Sequence, residues 1–131
     1  MITFMLSSKV IAVYRVIAYK KRDDRVPVQD FLDELPLKLR EKTLRSLLLL
    51  QEFGPSLSVG MSRSMGDGVF ELRTTFGSDI TRIFYFFVIG KQVVLTNGFI
   101  KKSQKTPKRE LEKARVYKKD WEERYGNVDL E

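Results

Sequence analysis

VFELRTTFGSDITRIFYFFVIGKQVVLTNGFI, residues Val69–Ile100, is the stretch that decides the fold. It divides into three runs rich in β-branched and aromatic residues: Val69–Phe76, Ile80–Ile89 and Gln92–Ile100. Such runs favour a pleated, half-buried backbone. Gly77-Ser78-Asp79 and Gly90-Lys91 fall between them and are short enough to be hairpin turns. Three consecutive antiparallel strands are therefore predicted.

Upstream, Val13–Lys20 reads as a first strand and Lys21–Arg25 as a charged, solvated turn. Pro27 suits the first position of a helix, with Val28, Phe31, Leu32 and Leu35 following at helical spacing. Pro36 breaks that helix and opens a second, Leu37–Phe53, which Gly54-Pro55 ends. Its apolar residues form two sets, Leu37, Leu44, Leu47 and Leu48 against Leu39, Leu49, Leu50 and Phe53. A helix apolar on both sides is either buried twice or covered by a partner. Residues 56–68 read as a loop carrying a short edge strand around Met61–Ser64. A last helix starts near Pro107, with Leu111, Ala114, Tyr117, Trp121 and Tyr125 on its apolar stripe, and stops at Gly126. The expected fold is α+β, an antiparallel sheet in the order β-α-α-β-β-β-α with two N-terminal helices packed on it. The last helix or a ligand would take the second face.

The chain has 131 residues, enough for one domain around one core. The domain is expected over residues 13–125, with 1–12 an N-terminal extension and 126–131 a tail. Met1–Leu6 is only faintly like a signal sequence, because Lys9 and Arg15 interrupt the apolar run. No uncharged stretch approaches the roughly 18 residues of a membrane span, so no membrane partner is expected. There is no cysteine, which fits a reducing cytoplasm, the expected location.

Histidine is absent too. That removes the usual general acid–base residue near neutral pH and the commonest zinc ligand. Any catalysis must use Glu, Asp, Lys, Arg or Tyr, and no metal or cofactor is expected. The formal net charge of +7 points to a polyanionic partner. Five of the basic residues fall in Lys101–Arg109, a segment without an acid.

Alternation along the strands sorts the candidates. In Val69–Phe76, the residues Phe70, Leu72, Thr74 and Phe76 form a mostly apolar set, and Glu71, Arg73 and Thr75 point the other way. Arg82 stands near the start of an otherwise apolar strand. Glu71 could simply pair with Arg73 or Arg82. Surface ion pairs contribute only about 0–1 kcal/mol, however, whereas arginine's planar fork suits phosphate. Tyr85 is either a core aromatic or a candidate acid. Lys101, Lys102 and Lys105 leave the last strand, and Lys108 and Arg109 open the final helix, where backbone N–H groups already favour anions.

Phe70-Glu71-Leu72-Arg73, then Arg82–Phe87, then Val93–Pro107 with its Gly98-Phe99-Ile100-Lys101-Lys102-Ser103-Gln104-Lys105-Thr106-Pro107 string, closely resemble the RelE/HigB superfamily. The match is to the phage-derived HigB-like toxins of type II toxin–antitoxin systems and covers roughly Val13–Tyr125. The resemblance implies a RelE-like fold and an endoribonuclease that cleaves mRNA on the ribosome. It also implies a helix-turn-helix antitoxin encoded beside the toxin, the complex of the two binding operator DNA. By position, the family's basic residues fall on Arg73, Arg82, Lys101 and Lys102. Some relatives use histidines, which this chain lacks.

The candidate catalytic set is thus Arg73, Arg82, Lys101, Lys102, Glu71 and Tyr85, with Lys105, Lys108 and Arg109 as RNA-binding residues. A metal-free attack of the RNA 2′-OH on the neighbouring phosphate suits these side chains. The alternatives are a noncatalytic nucleic-acid or antitoxin-binding module that represses an operon, or a gyrase inhibitor like the ParE toxins. An exposed leucine face on Leu37–Phe53 would be the candidate antitoxin contact.

Overall fold

The computed structural model describes residues 13–101 and 105–126. Its elements are β1 (Arg15–Ala18), α1 (Pro27–Asp33), α2 (Leu37–Phe53), β2 (Ser62–Gly66), β3 (Val69–Phe76), β4 (Asp79–Val88), β5 (Gln92–Lys101) and α3 (Lys108–Tyr125), with a 3₁₀ turn at Gly54–Ser56. The mixed α+β fold with a C-terminal helix agrees with the expectation. Two details differ.

Among the described residues, five strands form one sheet in the order β1-β5-β4-β3-β2. The edge strand expected around Met61–Ser64 is present as β2, starting one residue later and ending two residues later. Asp67 and Gly68, with φ of 55° and 79°, make the two-residue turn that folds β2 back on β3. That turn needs positive φ at both central positions, which Asp-Gly supplies. The sheet is also mixed rather than antiparallel, because β1 pairs with β5 in parallel. The reason is the path of the chain. Helices α1 and α2 carry it from β1 to the far edge, and the meander β2-β3-β4-β5 returns running in β1's direction.

The sheet is covered on both faces, which explains why β4 is apolar almost throughout and buried from Thr81 to Val88. On one face, Leu72, Ile83, Tyr85, Phe87, Val93 and Leu95 pack with Val28 and Leu32 of α1 and Leu39, Leu47 and Leu50 of α2. On the other, α3 lies over the sheet: Ala114 and Leu111 meet Val69, Phe84 and Phe99, while Tyr117 and Trp121 meet Phe86, Val88 and Val94. Burying a side chain of this size stabilises by about 1.5–3 kcal/mol.

Helix α2 is not split as its leucines suggested. The core takes Leu39 and Leu50 from one set and Leu47 from the other, with Thr43, Ser46 and Gln51 completing the buried stripe. Positions 39, 43, 46, 47 and 50 follow the helical period; Thr43 is accommodated because its hydroxyl bonds Leu39 carbonyl and Thr81. Leu37 and Phe53 are exposed, and Leu48 and Leu49 are half-buried.

A bulge between Ile83 and Tyr85 in the β4–β5 ladder sets the site. It reverses the alternation along β5, so that Leu95 and Ile100 both meet the α1–α2 core while Phe99 faces α3. Lys101 consequently shares the α3 side of the sheet with Phe99. Gly98 lies within this irregular stretch, and a Cβ there would sit 2.5 Å from the Phe31 ring. Only glycine lets α1 approach so closely.

Candidate nucleic-acid interface

Register places the candidates together. Arg63 of β2 is the partner of Glu71, Arg73 of β3 is the partner of Arg82, and Ile80 of β4 is the partner of Lys101. Cross-strand partners share a face, so Arg63, Glu71, Arg73, Arg82 and Lys101 converge at one end of the α3 side of the sheet. Arg63, Arg73, Arg82 and Lys101 line an open cleft of about 840 Å³, whose further wall is Pro36, Leu39, Ser78, Asp79, Ile80 and Ile100. A smaller hollow of about 120 Å³ adjoins it, lined by Arg63, Glu71, Arg73, Arg82 and residues 59–62.

Glu71 organises the cluster. Its side chain is fully buried, and Oε1 accepts a hydrogen bond from Arg82 Nη1. Arg63 Nη2 lies 3.4 Å from the same oxygen. The Thr106 hydroxyl donates to Oε2 at 2.9 Å, which ties the segment before α3 to the sheet. A buried carboxylate is costly unless paired and hydrogen-bonded, and here three donors meet that need. Arg82 is itself only 6 % exposed, and its Nε–H has no hydrogen-bond partner among the described residues. It is a guanidinium fixed by Glu71 in the wall of the cleft.

Burial, and next the Arg82 charge, lower the Lys101 pKa below the ordinary lysine value. Arg63 and Arg73 act in the same direction, while Glu71 opposes them. A lysine so placed loses its proton more readily than one in water.

Tyr85 is not brought to this cluster. It lies on the opposite face, packed on Phe70 and Phe87, with its hydroxyl 2.5 Å from Ser62 Oγ. Burial raises its pKa. Lys102 lies outside the described residues. Lys105, Lys108 and Arg109 are exposed on either side of Thr106 and Pro107, bordering the cluster in sequence. Arg63 and Thr106 join the site although the sequence did not single them out. The Asp67-Gly68 hairpin turn is the signal that sets Arg63 opposite Glu71; Thr106 stands in the Gly98–Pro107 string of the resemblance, but nothing local ties its hydroxyl to Glu71.

Among the described residues no three His, Cys, Asp or Glu side chains group as a metal site would require, and no helix is long and apolar enough to cross a membrane.

Residues 30–119, well over half of the chain, match the family model described as Phage derived protein Gp49-like (DUF891). The chain belongs to this family. The Gp49-like family is related to toxin–antitoxin systems, and the matched span contains every residue of the cluster. No curated protein matches the chain significantly.

Proposed function

We propose that this Gp49-like protein is the toxin of a type II toxin–antitoxin pair, a RelE/HigB-like endoribonuclease that cleaves mRNA on the ribosome without a metal. The observation that carries this reading is the convergence of Arg73, Arg82 and Lys101 on one open cleft, with the Arg82 guanidinium held from behind by buried Glu71. For a purely structural ion pair, a second arginine directly opposite is a liability. For a phosphate that gains charge in the transition state, the two are the required complement.

In the proposed reaction, neutral Lys101 takes the proton of an RNA 2′-OH as its oxygen attacks the adjacent phosphorus. The P–O5′ bond breaks, and water protonates the departing 5′-oxygen. The products are a 2′,3′-cyclic phosphate and a 5′-hydroxyl. Arg73 and Arg82 hold the non-bridging oxygens. Lys102 belongs to the same basic segment and shares the candidate role. Glu71, fully buried and committed to three donors, serves Arg82 rather than the substrate. Lys105, Lys108 and Arg109 attract the RNA backbone.

The toxin domain is taken as residues 13–125. Its partners on this reading are mRNA on the ribosome, a helix-turn-helix antitoxin and, through their complex, operator DNA. Exposed Leu37 and half-buried Leu48, which fall on one side of α2, are the candidate antitoxin contact.

The test is induced expression followed by mapping of mRNA 5′ ends with and without active translation. New ends inside reading frames, lost when translation is blocked and lost in Arg73→Ala, are expected. Growth arrest with no new ends would remove the nuclease reading, and arrest with DNA damage would redirect it to gyrase.

A further inference from the structure

Arg63 is held differently from the other cations of the cluster. It sits on the edge strand β2, and its side chain is 58 % exposed. One nitrogen, Nη2, is shared between Glu71 Oε1 and Thr106 Oγ1, each at 3.4 Å. Its Nε and Nη1 make no hydrogen bond among the described residues. Arg63, Arg73 and Arg82 line both the large cleft and the smaller hollow, so the two are continuous around these side chains. An arginine anchored at one corner and open at the others can present a fork to an anion.

Resting on the RNA-cleavage reading, we infer that Arg63 is a substrate-binding residue for a second RNA phosphate. That phosphate is the neighbour of the one held by Arg73 and Arg82, and Glu71 is the positioning residue that fixes both Arg63 and Arg82. The RNA strand then enters along β2, past Val59–Ser62, and reaches the Lys101 end of the large cleft. The substrate class follows: a single-stranded RNA with a phosphate on the β2 side of the cleavage point, so that a dinucleotide without that phosphate is a poor substrate. The competing account is a surface ion pair that only trims the charge on Glu71. It predicts a stability effect with no effect on RNA.

The experiment measures binding of a fluorescent single-stranded RNA, 2′-O-methylated so that it cannot be cleaved, by anisotropy across a salt series. Wild type is compared with Arg63→Ala, Arg63→Lys, Glu71→Gln, the Glu71→Gln/Arg63→Ala double variant, and Arg45→Ala as an exposed-cation control. Arg63→Ala is expected to weaken binding about 10-fold, the value of one charge-assisted hydrogen bond. It should also flatten the slope of log K against log salt by about 0.7, one phosphate contact on a single strand. Arg63→Lys should keep the slope and lose part of the affinity, because the charge stays and the fork goes. Loss in the double variant should fall short of the sum of the single losses, since Glu71 acts through Arg63.

If Arg63→Ala matches Arg45→Ala in affinity and slope while wild type binds RNA, the Arg63 assignment is overturned and the RNA reading stands. If the two losses add in full, Glu71 does not position Arg63. If wild type itself fails to bind RNA at low salt, both the inference and the reading beneath it fall.

Discussion

Arg73 and Arg82 stand directly opposite each other across β3 and β4, yet of the two only Arg82 has a carboxylate partner among the described residues, Glu71. Like charges facing across a ladder destabilise it, by roughly 0.2–1 kcal/mol for such pairs. Arg73→Leu should therefore be more stable than wild type by roughly 0.2–1 kcal/mol and melt correspondingly higher. The same change should lower RNA cleavage by about 10²–10³-fold, the usual consequence of deleting one group that stabilises transition-state charge. Thermal melting and single-turnover cleavage check the two halves. A variant that melts lower and cleaves normally would make Arg73 an ordinary structural residue.

The Glu71–Arg82 pair makes the opposite kind of demand. Both side chains are buried, so Arg82→Ala leaves a carboxylate without its main partner and should cost about 3–5 kcal/mol. Replacing both, as in Glu71→Leu/Arg82→Met, removes the unpaired charge and should recover most of that stability. Cleavage should stay lost in the double variant. Urea unfolding separates the outcomes: a double variant as unstable as Arg82→Ala would mean that packing, not charge pairing, sets the cost.

This pairing also shows what could be read from the sequence. The strands of Val69–Ile100, both N-terminal helices and the last helix follow from periodicity, proline placement and glycine turns, all of which act locally. Alternation likewise put Glu71 and Arg73 on one face, and the β3–β4 register adds Arg82 to it. What escaped was set at a distance. Strand β2 has the weakly patterned sequence Ser62-Arg63-Ser64-Met65-Gly66, and only its pairing to β3 makes Arg63 a neighbour of Glu71. The β5 bulge turns Lys101 to the same side, a two-against-one register that no short window reveals. Tyr85 looked available because it lies in the same aromatic run as its neighbours. One residue's difference in parity sends it to the opposite core. The two leucine sets of α2 failed for a related reason: burial there follows the shape of the sheet beneath, which accepts Thr43, Ser46 and Gln51 and leaves Leu37 in solvent.

Lys101 should be visible in the pH dependence. Burial and the Arg82 charge lower its pKa, so the neutral amine becomes available at a lower pH than for a free lysine. If neutral Lys101 accepts the 2′-OH proton, the cleavage rate rises with pH and levels off above the Lys101 pKa. Lys101→Arg keeps the charge but cannot give up its proton in this range. It should lose about 10²–10⁴-fold in rate, the typical contribution of general acid–base catalysis, while binding RNA normally. The rising limb should disappear with it. A limb that persists in Lys101→Arg would assign the proton transfer elsewhere, and variants of Lys102 would be examined next.

The far end of α3 is fastened by a separate device. The buried Tyr19 hydroxyl donates to Asp120 Oδ2 at 2.6 Å, Arg22 Nε donates to Oδ1 at 2.7 Å, and Arg124 lies 3.0 Å from Oδ2. The Tyr19 hydrogen bond, then the Arg22 hydrogen bond and the charges of Arg124 and Arg22, hold the Asp120 carboxyl below the ordinary carboxylate range against the opposing effect of burial. A depressed folded-state pKa means that the stabilisation is full above the unfolded value, about 3.9, and is lost as pH falls through the folded one. Tyr19→Phe should cost about 1.5–3 kcal/mol at neutral pH, the range for hydrogen bonds to a charged group. The deficit of Asp120→Asn relative to wild type should shrink as the pH falls below about 3.9, because the wild-type carboxyl then becomes neutral as well. Urea midpoints between neutral and strongly acidic pH would show this convergence. A deficit that stays constant down to the acid limit would mean that Asp120 acts through shape and not through its charge.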